Sequence, residues 1–201
     1  MCNEYARKAS AEELRNEFGK LETVEGVEWE DGRLPNDLDG KDSVRISDTA
    51  PIARLRGDRL ILSMTPWAWR GPGGKPVFNF KSEGRDFSHN DRVLIPATGF
   101  YEYTAPAALK VKLKDRHLFT MAGEPWFWIA GIVREGAFSM LTTAPGPDVR
   151  PYHDRSIVTL APAVGLDWLT LSRPSRDILQ APPAGALSVR TLRRDGADLG
   201  G

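Results

Sequence analysis

Residues 117–141 have the sequence HLFTMAGEPWFWIAGIVREGAFSML, in which short runs of apolar, aromatic and β-branched residues are separated by turn residues. Runs of this composition and length are typical of β-strands. They predict strands at 117–121, 126–130, 132–133 and 137–141. The intervening segments, Ala122–Pro125 and Arg134–Gly136, predict two hairpin connections. Trp126 and Trp128 share one face of their strand, so we expect both to pack in the core.

A period of two continues on either side of these residues. It predicts further strands at 59–64, 92–95, 109–114, 156–160 and 186–190. A capping-box pattern from Ser10 to Glu13 begins an amphipathic helix predicted over 11–21. Two short helices are predicted at 164–171 and 176–180, and the acidic, polar segment 22–42 is predicted to be an irregular loop.

These elements predict an α+β fold made of a single β-rich domain over residues 1–201. Its bent antiparallel strands would form a barrel-like body, accompanied by a few short helices. The composition, 41% hydrophobic and 27% charged, suits a globular protein with a sizeable core. No internal repeat, low-complexity tract or linker divides the sequence.

The composition also excludes several classes of protein. Because 27 Lys and Arg residues balance 27 Asp and Glu residues, any basic groove for nucleic acid would have to be local. The sequence has no membrane-spanning apolar run and no secretory signal, which predicts a cytoplasmic protein. A single cysteine excludes an internal disulfide and a cysteine-based zinc site. The three histidines are scattered, so we expect no metal and no cofactor.

The single cysteine is Cys2, directly after Met1. Methionine aminopeptidase removes an initiator methionine when the next residue is small, as cysteine is. Cys2 would then carry both an α-amine and a thiol, with unperturbed pKa values of about 8 and about 8.5. The amine of such a 1,2-aminothiol condenses with an aldehyde to a Schiff base, and the thiol then closes a thiazolidine ring. The alternative is an incidental thiol in a poorly ordered tail.

Three further segments carry polar side chains that packing alone does not require. They are Phe78–Glu83 with Asn79, Ile95–Tyr103 with Glu102, and Leu141–Val158 with His153. Each side chain also has a purely structural interpretation: Asn79 in a turn, Glu102 as a solvated carboxylate and His153 in a polar loop. Trp67 and Trp69 precede a glycine-rich loop, where they could stack on an unpaired base or anchor the loop.

Together these segments resemble a known family. The chain contains, in order, Met1-Cys2, Asn79-Phe-Lys-Ser-Glu83, Pro96-Ala-Thr-Gly-Phe-Tyr-Glu-Tyr103, Leu141-Thr-Thr143 and His153-Asp-Arg155. It is similar to the SRAP family (SOS response-associated peptidase), whose members are also described as abasic-site processing proteins. That family has Met-Cys, Asn-Ala-Arg-Ala-Glu, Pro-Ala-x-Gly-Phe-Tyr-Glu-Trp, Leu-Thr-Thr and His-Asp-Arg in the same order. The resemblance covers nearly the whole chain.

The resemblance implies a role in DNA repair: capture of abasic sites in single-stranded DNA as a covalent DNA–protein crosslink. Cys2 would supply both nucleophiles, giving a thiazolidine at C1′ of the ring-opened sugar. Glu102 would transfer protons during ring opening and Schiff-base formation. Asn79 would orient Cys2 and the adduct, and His153 would hydrogen-bond the opened sugar or the iminium.

The resemblance also implies a DNA-binding set. Lys81 and Arg155 would contact phosphates, and Trp67 and Trp69 would contact bases. Three features depart from the family pattern. Lys81 replaces an arginine and loses its bidentate fork, Glu4 stands where many relatives have a basic residue and would repel phosphate, and Thr65-Pro-Trp67 replaces Arg-Trp-Gly. The expected partner is abasic single-stranded DNA, bound without metal or membrane by a monomer at the bacterial nucleoid.

Two alternatives remain open from the sequence. N-terminal-nucleophile amidohydrolases also mature to an N-terminal cysteine, but they commonly begin Met-Cys-Gly and lack the Gly-Phe-Tyr-Glu and His-Asp-Arg motifs. The second alternative is a single-strand-binding domain whose catalytic positions have decayed, which Lys81 and Glu4 keep open. The family name implies a peptidase activity as well. We expect at most self-processing, because no separate substrate-recognition segment for Cys–His proteolysis is present.

Overall fold

The computed structural model describes residues 2–21, 24–32 and 39–200. Within them the strands, in chain order, are β1 (Glu4–Arg7), β2 (Gly26–Trp29), β3 (Lys41–Arg45), β4 (Thr49–Arg56), β5 (Arg59–Pro66), β6 (Trp69–Arg70), β7 (Pro76–Val77), β8 (Asn79–Lys81), β9 (Asp91–Ala97), β10 (Gly99–Thr104), β11 (Asp115–Met121), β12 (Phe127–Arg134), β13 (Ala137–Thr143), β14 (Ser156–Ile157), β15 (Thr159–Leu160), β16 (Leu187–Arg194) and β17 (Ala197–Asp198). The α-helices are α1 (Ala11–Phe18), α2 (Gly165–Thr170) and α3 (Ser175–Ile178). None of the described helices is long and apolar enough to cross a membrane.

Most strands belong to two sheets. The smaller sheet has the order β17-β16-β11-β10-β1-β3, and the larger has the order β14-β13-β12-β9-β4-β5-β2, with β15 paired to β12 and β8 paired to β13. The larger sheet bends into a half-barrel, so the predicted β-rich α+β body is confirmed. Two pairings, β2 with β5 and β8 with β13, are parallel rather than antiparallel as expected.

Two large hydrophobic cores lie on the faces of the sheets. The core between the two sheets contains Tyr5, Phe100 and Phe138, all completely buried. The core between the larger sheet and the helices contains Trp126 and Trp128, whose rings meet edge to face with centroids 4.8 Å apart. Their predicted core position is therefore confirmed.

The quoted residues 117–141 differ from the prediction at their first turn. β11 pairs with β10 and β16 in the smaller sheet, whereas β12 pairs with β9 and β13 in the larger one. The predicted hairpin at Ala122–Pro125 is therefore wrong, because this segment passes from one sheet to the other. The second hairpin is confirmed, since Arg134 pairs with Ala137. The strands predicted at 126–130 and 132–133 form one continuous β12.

The alternating residues 109–114 are not a strand but part of an exposed loop between β10 and β11. The apolar side chains of this segment are not buried on one face, since Leu109 is fully exposed and Leu113 is 52% exposed. The strand predicted at 156–160 is divided at Val158, because β14 pairs with β13 and β15 pairs with β12.

Two predictions at the start of the chain also change. The Ser10–Glu13 capping box is present, but α1 ends at Phe18 rather than residue 21 because the Gly19 N–H caps its last turn. The segment 22–42, predicted to be irregular, contains β2 and the first residues of β3. Residues 22–23 and 33–38 of that segment lie outside the described residues.

Candidate active site

A cavity of about 370 Å³ opens where the two sheets meet. The smaller sheet contributes the start of β1, the end of β3, Glu102 and Tyr103 on β10, and Lys114 before β11. His153, from the segment between β13 and β14 of the larger sheet, completes the wall. Two residues predicted from separate sequence motifs, Glu102 and His153, therefore line one cavity.

Cys2 lies directly before β1 and is 1% exposed. Its backbone N–H donates a hydrogen bond to the Glu102 carboxylate. Its carbonyl oxygen accepts a hydrogen bond of 2.7 Å from Nδ2 of Asn79. Its Sγ donates to the backbone oxygen of Glu4 at 3.1 Å. The first residue of the predicted mature chain is thus held at its nitrogen, its carbonyl and its sulfur.

Burial governs the acid–base properties of Cys2. Desolvation raises the pKa of the thiol well above its ordinary value, and the nearby Glu102 carboxylate acts in the same direction. The thiol is therefore neutral in the structure. A reaction at sulfur needs a base beside it that removes this proton as the new bond forms.

Glu102 is the carboxyl group that lies beside Cys2. Side chains alternate along β10, so Glu102 shares the face of Phe100, which packs in the core between the sheets. Desolvation by burial raises the pKa of Glu102 to about 7, and the negative charge of Asp154 adds to the effect. At neutral pH the carboxyl group is present in both protonation states, so it can accept a proton and return it.

Asn79 reaches Cys2 from the other sheet. It is the first residue of β8 and lies opposite Met140 in the parallel pairing with β13. Its Nδ2 holds the Cys2 carbonyl, while its Oδ1 is buried without a hydrogen-bond partner among the described residues. An acceptor oxygen therefore remains available beside Cys2.

Replacing Asn79 by alanine should loosen Cys2 without disrupting the sheet. Loss of one hydrogen bond of this kind costs about 1 kcal/mol, so we expect any reaction that depends on the position of Cys2 to slow roughly five- to tenfold. Chemical unfolding and a single-turnover rate measured on the same preparation check this. If the free energy of unfolding falls by about 1 kcal/mol while the rate stays unchanged, Asn79 has only a structural role.

His153 lies in a tight turn in which its backbone N–H donates to the Val149 oxygen at 3.0 Å. Desolvation lowers the pKa of its imidazole, so the ring is neutral at pH 7. Its Nδ1 is 3.0 Å from the Arg155 backbone nitrogen and 2.8 Å from Asp154 Oδ1. The Arg155 N–H donates a hydrogen bond to Nδ1, which can accept it when the ring is neutral. With Nδ1 as the acceptor, Nε2 carries the proton and can donate to a ligand.

Glu4, predicted from the sequence to repel phosphate, is buried in a cluster of polar side chains. It is 3% exposed and accepts hydrogen bonds from Ser43 Oγ at 2.5 Å, from Arg116 Nη2 at 2.9 Å and from the Tyr103 hydroxyl. Burial acts to raise its pKa, but these hydrogen bonds and the Arg116 charge lower it overall. Sequence reasoning missed this cluster because Ser43 and Arg116 lie 39 and 112 residues away in the chain.

The two tryptophans predicted to contact bases are packed inside the protein. Trp67 is completely buried, stacks on Phe138 and donates from Nε1 to the Phe78 oxygen at 2.9 Å. Trp69 is 7% exposed and packs against Phe80. Contact of either tryptophan with DNA stays a prediction, and it would require the ring to leave the core. In the structure both rings pack against residues that follow the glycine-rich loop.

The two predicted phosphate-binding cations differ in their surroundings. Lys81 is exposed and lies two residues after Asn79, on the same side of β8. Arg155 forms a two-pronged ion pair with Glu83, with Nη2 2.8 Å from Oε2, and also donates to Thr142 Oγ1 at 3.1 Å. This hydrogen bonding lowers the pKa of Glu83 to about 2. Phosphate binding by Arg155 stays a prediction, and it would require displacement of Glu83.

The acidic, histidine and cysteine side chains are not grouped as metal ligands would be. Across residues 2–21, 24–32 and 39–200, no group of three or more His, Cys, Asp or Glu side chains is arranged to hold a metal ion.

Known proteins share both the sequence motifs and the architecture of this chain. Residues 1–195 match the family model described as SOS response associated peptidase (SRAP). The chain belongs to the SRAP family. Among curated SRAP relatives, the abasic site processing protein YoaM of Bacillus subtilis (strain 168) is 33% identical over 130 residues. That match covers 58% of this chain and 57% of YoaM, so the chain spans somewhat over half the length of this curated relative.

Solved structures have the same fold. A protein from Bacteroides thetaiotaomicron superimposes with a TM-score of 0.72 at 19% identity, covering 96% of this chain and 93% of that one. A phage-related protein from Bordetella bronchiseptica superimposes with a TM-score of 0.68 at 20% identity, covering 96% and 95%. At these identities the similarity establishes the SRAP fold alone.

Proposed function

We propose that this SRAP protein repairs DNA by capturing abasic sites in single strands as a covalent crosslink through Cys2. The observation that carries the proposal is the hydrogen bond from the Cys2 backbone N–H to the Glu102 carboxylate. Removal of Met1 converts this nitrogen into a free α-amine at the same position. The name of the relative YoaM, abasic site processing protein, supports an abasic site as the substrate.

The proposed reaction begins with the closed sugar. The Glu102 carboxylate accepts the proton of the C1′ hydroxyl as the ring C1′–O4′ bond breaks and returns it to O4′, so the carboxylate is regenerated. It then takes a proton from the Cys2 α-ammonium, and the free amine attacks C1′ of the aldehyde to give a carbinolamine. Glu102 gives this proton to the carbinolamine hydroxyl, which leaves as one water, and an iminium forms.

The thiol then closes the ring. Cys2 Sγ adds to C1′ of the iminium, the C=N electron pair returns to nitrogen, and the thiol proton passes to the Glu102 carboxylate. The net change from aldehyde to thiazolidine is the loss of one water molecule. A neutral, buried thiol beside a carboxyl group of pKa about 7 suits this concerted transfer.

The remaining residues bind and orient the substrate. Nε2–H of His153 would donate to the opened sugar or stabilise the intermediate, and Asn79 would hold Cys2 in place. Lys81 would contact a backbone phosphate, as would Arg155 after release from Glu83. We propose that one copy of the domain acts alone, on DNA in the bacterial cytoplasm.

A general peptidase activity finds less support from the site. Cysteine proteases use a thiolate whose pKa is depressed, whereas burial raises the pKa of Cys2. We therefore limit any peptidase activity of this protein to self-processing of residues that precede Cys2.

The proposal is tested by crosslinking to DNA whose aldehyde is present or absent. Mature protein incubated with a single-stranded oligonucleotide containing a natural abasic site should give a retarded band on a denaturing gel, without borohydride. The same oligonucleotide reduced at C1′ to the alcohol should give none, because the electrophile is gone. Equal bands from both oligonucleotides, or no band from either, would reject the proposal. A duplex with the same lesion measures the preference for single strands.

A further inference from the structure

The loop between β10 and β11 is not used by the proposed reaction. Residues 105–114, which we call the lysine loop, contain Lys110, Lys112 and Lys114 and no acidic residue, in a chain of net charge zero. None of these lysines forms an ion pair with the described residues. Leu109 is fully exposed and Leu113 is 52% exposed, next to the lysines.

Both ends of the lysine loop are fixed to the β16–β17 hairpin. The backbone N–H of Ala108 donates to Asp195 Oδ1 at 2.8 Å, and the Lys114 oxygen accepts from Arg193 Nε at 2.9 Å. The Val111 N–H donates to the Ala108 oxygen at 3.1 Å, which closes a turn with Leu109 and Lys110 at its tip. The loop therefore presents an apolar side chain and cations from a braced position.

The lysine loop projects from the rim of the cavity. Thr104, the last residue of β10, pairs with Asp115, and the neighbouring Tyr103 and Lys114 line the cavity. Glu102 is only two residues before the end of β10, where the loop begins. The loop therefore begins three residues after Glu102, on the side of the cavity formed by Tyr103 and Lys114.

We propose that the lysine loop is a second DNA-binding surface, which holds the strand flanking the abasic site. Lys110 and Lys112 pair with phosphates, and Leu109 packs against an unstacked base, as apolar wedges do in other DNA-binding proteins. This inference rests on the proposed function for the identity of the ligand. Membrane binding would need more apolar area than two leucines provide.

The test measures equilibrium binding to an undamaged 20-nucleotide single strand by fluorescence anisotropy between 50 and 200 mM salt. Removing two phosphate contacts in the double variant K110A/K112A should make the slope of log K against log salt shallower by about 1.4. The control K20A/R56A removes two exposed positive charges elsewhere and should leave the slope unchanged. A slope equal to the wild-type slope in K110A/K112A would overturn the phosphate contacts.

The apolar contact is tested with Leu109→Ser, which should weaken binding roughly fivefold without changing the salt slope. Leu199→Ser, at another exposed leucine, should bind like the wild type. If Leu109→Ser and Leu199→Ser bind DNA with equal affinity, Leu109 does not pack against a base. Flotation with vesicles of anionic phospholipid, lost in Leu109→Ser while DNA binding is kept, would assign the loop to a membrane instead.

These measurements separate the two proposals. Undamaged DNA has no aldehyde, so its binding does not depend on Cys2. If the wild-type protein fails to crosslink but K110A/K112A still has a shallower salt slope, only the proposed covalent chemistry is contradicted. If the wild-type protein crosslinks but the loop variants bind undamaged DNA as the wild type does, only the proposal for the lysine loop is contradicted.

Discussion

Replacing Cys2 by alanine is expected to abolish the covalent adduct with abasic DNA completely. The α-amine of the variant can still form a reversible imine, but without sulfur no thiazolidine closes. Because Cys2 is the single cysteine of the chain, no other thiol can substitute. Denaturing gels over a full time course, with binding to undamaged DNA measured in parallel, check this result.

Two controls separate the roles of the amine and the thiol. Cys2→Ser keeps the amine, so its adduct should appear only when borohydride traps the imine. A start-site variant whose extra residues before Cys2 are still attached, as intact-mass spectrometry verifies, should be inert, because the nitrogen is then an amide. A stable adduct from either variant without borohydride would show that another residue reacts.

Glu102→Gln is expected to slow crosslinking by roughly 10²- to 10⁴-fold, the usual contribution of a positioned proton-transfer group. Glutamine keeps the size and an acceptor oxygen for the Cys2 amine, so the fold should survive. The wild-type rate should rise with pH through about 7 as the carboxylate forms, since this form accepts the proton at ring opening. The variant should lose that inflection and keep only the one near pH 8 from the α-amine.

Single-turnover rates between pH 5.5 and 9 measure both effects. A matched control is Glu83→Gln, which removes a carboxylate from the Arg155 ion pair rather than from Cys2. It should keep the inflection near pH 7. If Glu102→Gln retains wild-type kinetics across this range, Glu102 has no part in proton transfer.

Local patterns in the sequence were enough to predict the three α-helices and about half of the strands. Alternation and turn residues located β5, β9, β12 and β13, and the capping box located the start of α1. These features depend on neighbours within a few residues, so they can be recognised without a structure. The candidate catalytic residues Cys2, Asn79, Glu102 and His153 came instead from the resemblance to a family, which rests on short motifs in a fixed order.

Long-range pairing could not be predicted in this way. The turn at Ala122–Pro125 has hairpin composition, yet its flanking strands belong to different sheets, which only tertiary packing decides. Leu109 to Lys114 alternate like a strand, but Leu109 and Leu113 are exposed, so the alternation corresponds to no buried face. The burial of Trp67 depends on Phe138, 71 residues later, with which its ring stacks.

The alternatives left open by the sequence now carry less weight. The match to the SRAP model over residues 1–195 removes the main reason to consider an amidohydrolase. Glu4 supported a decayed DNA-binding domain when it was taken for a repelling charge, but its carboxylate is neutralised by Arg116 and hydrogen-bonded to Ser43. Lys81 keeps the charge that a phosphate needs.

Intact-mass spectrometry of the crosslinked protein, followed by peptide mapping, tests the central claim most directly. The account predicts a mature chain without Met1, joined to the oligonucleotide at Cys2 with the loss of one water. DNA attached to a lysine, or an active preparation in which every molecule retains Met1, would contradict it.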